Sequence, residues 1–327
     1  MNEQKTLKIR ELISAIRNNE RFMVATHVHP DGDAIGALLG MKHILQRLGK
    51  KVDVYSQDPF PPEFEFLPQA LAINNKPIES CEYEVAILVD CGDFERVGEE
   101  LSKFISRAVP FVINIDHHVS DKPFGNLYWV ETSASSTCEM LFDLCVSLSL
   151  APDAALSSVL YTGILTDTGS FRFLNTNRRV FEIVSVLVEM GADPSNIATR
   201  VYDSATPEKL KLLAQVLGTV EFHAGFRIIS AELSLSMISD SSSSYMDSEG
   251  FINQLRSVKS ADLAMLFREV SDGLIHISMR SRGDIDVATL AQRHGGGGHR
   301  AAAACRIPGT IHSVRSAFIA EALKYIN

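Results

Sequence analysis

Four short clusters carry the side chains best suited to chemistry. His27, Asp31 and Asp33 fall within HVHPDGD (27–33), directly behind the apolar stretch FMVAT (22–26). Asp90 follows a second apolar stretch, VAILV (85–89), and opens DCGD. Asp116, His117 and His118 follow a third, FVINI (111–115), and Asp167 lies in LTDTGSF at the end of a helical pattern. Carboxylate oxygens and imidazole nitrogens, without thiolates, suit Mn²⁺ or Mg²⁺, with Zn²⁺ or Fe²⁺ fitting less well. Two such ions about 3.5–4 Å apart can hold a phosphate, lower the pKa of a bridging water and stabilise the leaving oxygen.

Taken singly, each cluster has an ordinary explanation. An Asp can cap a helix, and a polar tripeptide can be a solvated loop. Placement argues otherwise, because in open α/β sheets ligands bind at the carboxyl ends of strands. A carboxylate behind a buried strand needs a cation or hydrogen-bond donors. An aspartate at a helix C-terminus opposes the macrodipole. Gly32 permits a tight turn or a positive φ, and Pro30 stiffens the approach. Adjacent histidines on a strand cannot both point the same way, so one of His117 and His118 can bind metal while the other faces substrate.

The elements that must position these residues follow from periodicity. FMVAT, VDVY (52–55), VAILV and FVINI read as strands, with a helix between the first two carrying Leu38, Met41, Leu45 and Leu48 on one face. This alternation predicts an α/β fold with a mainly parallel sheet flanked by helices. Helices are expected over 133–150, 152–165 and 178–190, the last closed by Gly191. Segment 192–220 reads as a helical linker in which Thr206 caps a helix with Pro207 at its first position. From 221 onward FRIISAELS, ADLAMLFREV and GLIHISMRS read as strands. IDVATLAQRH reads as a helix, AAAACRI as a strand and VRSAFIAEALKYI as a closing helix. The expectation is a domain over 1–191, a linker over 192–220 and a smaller α+β domain over 221–327. SDSSSS (239–244) is polar and reads as a mobile loop.

Composition narrows the function classes. A chain of 327 residues suits two domains, and 46% apolar residues is ample for packed cores. No stretch approaches the roughly 20 apolar residues needed to span a bilayer. The charged N-terminal segment reads as a surface helix without an apolar signal core, so a cytoplasmic protein is expected. The five cysteines are odd in number and contain no CxxC pair, which argues for structural roles. A net charge of −9 argues against a protein that coats long nucleic acid. It leaves anionic substrates open, because two divalent cations would dominate the local field.

The order HxxPDGDAIG, VDCGD, DHH and LTDTGSF resembles the DHH phosphoesterase family along nearly the whole chain. Near the end, Gly295, Gly296, Gly297, Gly298 and His299 are similar to the glycine-rich motif of the DHH-associated substrate-binding domain. Four glycines let backbone N–H groups close around a phosphate. The resemblance implies that His27, Asp31 and Asp90 hold one metal and that Asp33, Asp90, His117 and Asp167 hold the other, Asp90 bridging. It implies that His118 faces the scissile phosphate, so that Asp90 and His118 are the catalytic pair. Asp116 is expected to orient its neighbours, His29 to stand outside the ligand set, and Arg96, Arg280, Gly296, Gly297, Gly298 and His299 to meet the substrate. The implied cofactor is two divalent cations, Mn²⁺ by the ligand chemistry, with Mg²⁺ or Co²⁺ also fitting. The active site is expected in the cleft between the two domains, which the linker would open and close.

Within the family, the first motif reads DGD rather than the DTD usual in family II pyrophosphatases. The chain also has no room for the extra nucleic-acid domain of RecJ-type exonucleases. It resembles the short nano-RNase branch. That branch implies hydrolysis of two- to five-nucleotide RNAs and of linear dinucleotides such as pApA and pGpG. It also implies dephosphorylation of 3′-phosphoadenosine 5′-phosphate. It further implies no long nucleic acid, no membrane, and a homodimer as a possible assembly. A cyclic dinucleotide phosphodiesterase and a nucleotide-binding sensor without turnover are the alternatives.

Overall fold

In the structure, a computed structural model, residues 3–119, 123–248 and 250–325 are described. The chain divides into two compact units, Met1–Ser204 and Ala205–Asn327. In the first, α1 (Glu3–Asn18), β1 (Arg21–Ala25), α2 (Gly32–Arg47), β2 (Lys51–Tyr55) and β3 (Ile73–Asn74) come before β4 (Val85–Val89). α3 (Glu99–Ala108), β5 (Phe111–Asp116) and β6 (Leu127–Val130) complete the sheet, followed by α4 (Thr137–Ser147), α5 (Ala154–Asp167), α6 (Arg178–Glu189) and α7 (Pro194–Tyr202). The strands form one sheet in the order β3-β2-β1-β4-β5-β6, every neighbouring pair parallel. The parallel sheet flanked by helices is the one expected.

The continuous apolar runs are explained by burial on both faces. In β1, Phe22 and Val24 join the core shared with α1, α2, α4 and α5, whereas Met23 and Ala25 face α3 with Leu101, Phe104 and Ile105. β4 divides likewise, Val85, Ile87 and Val89 to one side and Ala86 and Leu88 to the other. The sheet order reverses between β1 and β4, so the crevice at their carboxyl ends is a topological switch point. The clusters at 27–33 and 90–93 flank it.

Close packing of α2 on α5 fixes the height of the site above the sheet. A Cβ on Gly36 would lie 3.2 Å from Gly163 Cα and 2.8 Å from Cys138 Sγ. Gly32 is the first residue of α2 and lacks the positive φ the sequence allowed it. It is required instead by Thr166, whose Oγ1 a Cβ there would meet at 2.4 Å. The left-handed residue of this loop is His29, with φ 54°.

The second unit contains α8 (Pro207–Leu217), β7 (Glu221–His223), β8 (Ile228–Leu233), α9 (Leu235–Ser241) and α10 (Phe251–Arg256). β9 (Leu263–Ser271), β10 (Leu274–Ser281), α11 (Val287–Gln292), β11 (Gly297–His299), β12 (Ala302–Pro308) and α12 (Ile311–Ala322) follow. Its sheet is mixed, in the order β11-β12-β10-β9-β8-β7, with only β8–β9 parallel. Thr206 caps α8 as expected, its side chain accepting from the Lys209 amide.

Two expectations need correction. Segment 192–220 is divided between the units: Ile197 of α7 lies in the main core of the first, and Leu212 and Val216 of α8 lie in a core of the second. The run at 239–244 is not a simple loop. Ser234 caps α9, which extends through Ser241, a buried residue whose hydroxyl donates to Met237 O at 2.8 Å. The five cysteines are free thiols, all buried except the half-buried Cys81. Among the described residues no helix is long and apolar enough to cross a membrane.

Candidate metal centre

Strand ends and helix ends of the first unit deliver the expected residues to one place. Asp90 follows β4 with a left-handed backbone, φ 58°, which re-aims its carboxylate off the line of the strand. It is 2% exposed. Its two oxygens face different histidines: Oδ2 lies 3.5 Å from His27 Nε2 and Oδ1 lies 3.6 Å from His117 Nε2. His27, Asp31 and Asp90 each bring one ligand atom within 4.8 Å of the others. Around His117 Nε2, Asp33 Oδ2 stands at 3.9 Å and Asp167 Oδ2 at 3.7 Å. An octahedral ion with bonds of about 2.1 Å holds its ligands roughly 3–4 Å apart, so these residues could hold a metal. His29, exposed and 3.1 Å from Asp58, stands outside the group.

Second contacts orient several of these side chains. His27 Nδ1 lies 2.8 Å from Val28 O, and His117 Nδ1 lies 3.3 Å from Ala134 O. A carbonyl only accepts, so in the neutral rings both contacts favour the tautomer with the proton on Nδ1 and the lone pair on Nε2. Asp31 caps α2, its Oδ1 accepting from the amides of Asp33 and Ala34. His118 is different. Its Nδ1 is 3.5 Å from Asp90 Oδ1, near enough for a ligand, but only 2.8 Å from Asp116 Oδ1. A ring nitrogen donating to Asp116 has no lone pair left for an ion. Arg96 is exposed, and its charge is felt at His118.

Sequence reasoning missed the segment that orients the carboxylates around His117. The amides of Thr137 and Cys138, at the start of α4, donate to Asp33 Oδ2 at 2.6 Å and Oδ1 at 3.0 Å. The Thr137 hydroxyl donates to Asp90 Oδ1 at 3.0 Å. Asn175 Nδ2 donates to Ser135 O at 2.9 Å and to Asp167 O at 3.1 Å. The expected helix over 133–150 obscured this, because the helix begins at Thr137 behind its cap Ser136. Ser136 and Glu139 in SSTCE, a capping-box spacing, were the available signal. The turn after Asp167 is strained as well, with φ 60° at Ser170 and 62° at Phe171.

Burial and mutual charge shift the titration of several of these groups. Burial, together with the charges of Asp90 and Asp167, raises the Asp33 carboxyl well above the ordinary range. Burial also works against ionisation of Asp90. The His27 hydrogen bond and the charges of His118, His27 and His117 nevertheless hold its carboxyl below the usual value. For His118, burial favours the neutral ring, but the Asp116 hydrogen bond and the charge of Asp90 push its pKa up to about 9. Carboxylates this close and this buried are stabilised by positive charge.

In the second unit the glycine run forms an edge strand rather than an open loop. β11 pairs with β12, Gly297 opposite Ala304, Gly298 opposite Ala303 and His299 opposite Ala302. Ala302 in turn pairs with Arg280 of β10. Arg280 and His299 thus share one register position, separated by Ala302; the side chain of His299 lies outside the described residues. A Cβ on Gly296 would meet Ala304 O at 2.2 Å, and one on Gly298 would meet Ala302 O at 2.4 Å. A Cβ on Gly297 would meet nothing within 4 Å. Packing against β12 therefore explains two of these glycines and leaves Gly297 to another cause.

Comparison with known proteins gives the family. The model of the DHH family, N-terminal domain, matches residues 21–164, and that of the DHHA1 domain matches 235–327. A Thermus thermophilus protein named bifunctional oligoribonuclease and PAP phosphatase NrnA is 33% identical over 94% of this chain and 89% of its own length. The Bacillus subtilis protein of the same name is 26% identical over 91% of this chain and 92% of its own. The crystal structure of an exopolyphosphatase-related protein from Bacteroides fragilis superposes with a TM-score of 0.89 at 27% identity, covering 98% of this chain and 96% of that one. With both domain models matched and a relative one-third identical along nearly its whole length, the chain belongs to the DHH phosphoesterase family.

Proposed function

We propose that the chain is a two-cation phosphoesterase that hydrolyses RNAs of two to five nucleotides and linear dinucleotides, and removes the 3′-phosphate of 3′-phosphoadenosine 5′-phosphate. The carrying observation is Asp90, whose two oxygens face His27 and His117 separately. The printed names of the Thermus and Bacillus relatives support the substrate class. In this reading His27, Asp31 and Asp90 hold one ion, and Asp33, Asp90, His117 and Asp167 hold the other. Oxygen and nitrogen ligands favour Mn²⁺. When bound, the pair of ions supplies an activated water and neutralises charge on the phosphate.

The chain's own residues do the rest. Asp116 turns the His118 ring, which carries a proton it can give to the leaving oxygen. Arg96 adds positive charge near it. Arg280, His299 and the strand at Gly297 and Gly298 bind the terminal phosphate, with Gly297 leaving room for close approach, while Gly296 holds the turn before the strand by donating its N–H to Ala291 O at 2.9 Å. A net charge of −9 accords with grip on chain ends rather than on long nucleic acid, and the proposal places the enzyme in the cytoplasm.

The test is a panel of RNA oligomers of two to twenty nucleotides, with pApA and 3′-phosphoadenosine 5′-phosphate, assayed with Mn²⁺. A steep fall in rate above five nucleotides is expected. Rates independent of length overturn the short-substrate reading. Nucleotide binding without hydrolysis in Mn²⁺, Mg²⁺ or Co²⁺ makes the chain a sensor instead.

A further inference from the structure

We infer that Thr137 is a positioning residue that ties the two cation positions to each other. The inference rests on the two-cation reading above. Thr137 is fully buried and contacts one carboxylate of the second cation position and the carboxylate shared by both. Its amide donates to Asp33 Oδ2 at 2.6 Å, and its hydroxyl donates to Asp90 Oδ1 at 3.0 Å. The oxygen that receives the hydroxyl is the one facing His117, not the one facing His27.

A carboxylate oxygen has two lone-pair directions. The hydroxyl occupies one on Oδ1 and so fixes the rotation of the Asp90 carboxylate about its last bond. The remaining lone pair of Oδ1 is held toward the space bounded by His117, Asp33 and Asp167. Oδ2 receives no bond from Thr137 and keeps its own contact with His27 at 3.5 Å. The amide of the same residue, with that of Cys138, fixes both oxygens of Asp33. One residue thus sets the distance between two ligands that lie 57 positions apart in sequence, Asp33 and Asp90. Its backbone contact survives substitution and its side-chain contact does not, so the two roles can be separated.

Thr137→Val keeps the shape and the amide but removes the hydroxyl. Loss of an outer hydrogen bond to a metal ligand typically weakens metal affinity about 10–100-fold. Calorimetric titration of the metal-free protein with Mn²⁺ should show the affinity for one ion, the one held by Asp33, Asp90 Oδ1, His117 and Asp167, falling by that factor. The ion held through His27, Asp31 and Asp90 Oδ2 should change by less than about threefold. Electron paramagnetic resonance should show the spin-coupled pair replaced by a single ion at stoichiometric Mn²⁺. Thr137→Ser, which restores the hydroxyl, should return both affinities to near the parent values.

A merely structural role would lower the unfolding temperature of the metal-free protein and weaken both ions alike, and that result overturns the inference. So do two ions bound by Thr137→Val with parent affinities. If Val does not fold at this position, Thr137→Ala, which also keeps the amide, takes its place with the same expectations. A parent protein that binds only one Mn²⁺ overturns the two-cation reading itself, an outcome distinct from either of these.

Discussion

Gly163 sits in α5 with its open face against Cys138 and Asp33, and replacing it with alanine sets two opposing effects against each other. Inside a helix alanine is favoured over glycine by roughly 1 kcal/mol. The new Cβ would lie 2.2 Å from Cys138 Sγ and 2.7 Å from Asp33 Oδ1. Ordinary contacts begin near 3.5 Å, so the sulfur must retreat by more than about 1 Å and the carboxylate by a little under that. Cys138 is 0% exposed and Asp33 1%, so neither has free space to enter. Overpacking of this kind costs typically about 1–3 kcal/mol. The net expectation is a loss of up to about 2 kcal/mol for the first unit.

The shift also pulls Asp33 off the α4 amides, so Mn²⁺ affinity at the position that uses Asp33 should fall about 10–100-fold. Trp129 is the single tryptophan and is buried in the first unit's core, so its fluorescence follows that unit's unfolding. Combining Gly163→Ala with Cys138→Ala removes the larger overlap. Most of the stability should return, while Mn²⁺ affinity stays low because the Asp33 contact persists. A Gly163→Ala protein that is stabilised by the full helical preference and binds Mn²⁺ like its parent would refute the packing argument.

The glycine strand gives a paired test: Gly296→Ala should loosen β11 from β12 at a cost of about 1–3 kcal/mol, measured by chemical denaturation. Gly297→Ala should leave stability within about 0.5 kcal/mol yet raise KM for a dinucleotide several-fold, and an unchanged KM removes this strand from the phosphate site. His118, held protonated up to about pH 9, should support activity below that value and lose it as pH rises through it. Asp116→Asn removes the carboxylate that raises this pKa, so the alkaline limb of the kcat profile should move to lower pH; a fixed limb would assign it to another group.

The legible part of this molecule was its strand ends. His27 and Asp90 directly follow, and His117 comes two residues after, a mainly apolar stretch of five residues, and burial on both faces makes such stretches conspicuous in sequence. Thr137 and Asn175 were not legible. Thr137 acts through contacts to residues 104 and 47 positions away, Asp33 and Asp90, and Asn175 reaches Ser135 40 positions away; no local pattern in sequence signals such contacts. β11 was missed for a related reason. A strand of glycines has no side-chain alternation, and only its pairing with the alanines of β12 makes it a strand. β3 has two residues and β6 four, too few to show a period. The serines at 239–244 read as loop because their helix depends on Ser234, which caps it from outside the run.

The left-handed backbone at Asp90 bears on how other sequences of this fold can be read. An L-residue with a side chain larger than Asn or Asp pays roughly 1–2 kcal/mol to adopt that conformation, and glycine pays nothing for it. Asparagine or glycine can therefore take position 90 at the least backbone cost where the carboxylate is given up, although the left-handed Ser170 and Phe171 show that the fold bears that cost elsewhere. A descendant that had become a pure binding protein would show its history at this one position, with the rest of the sheet intact and the strand end relaxed.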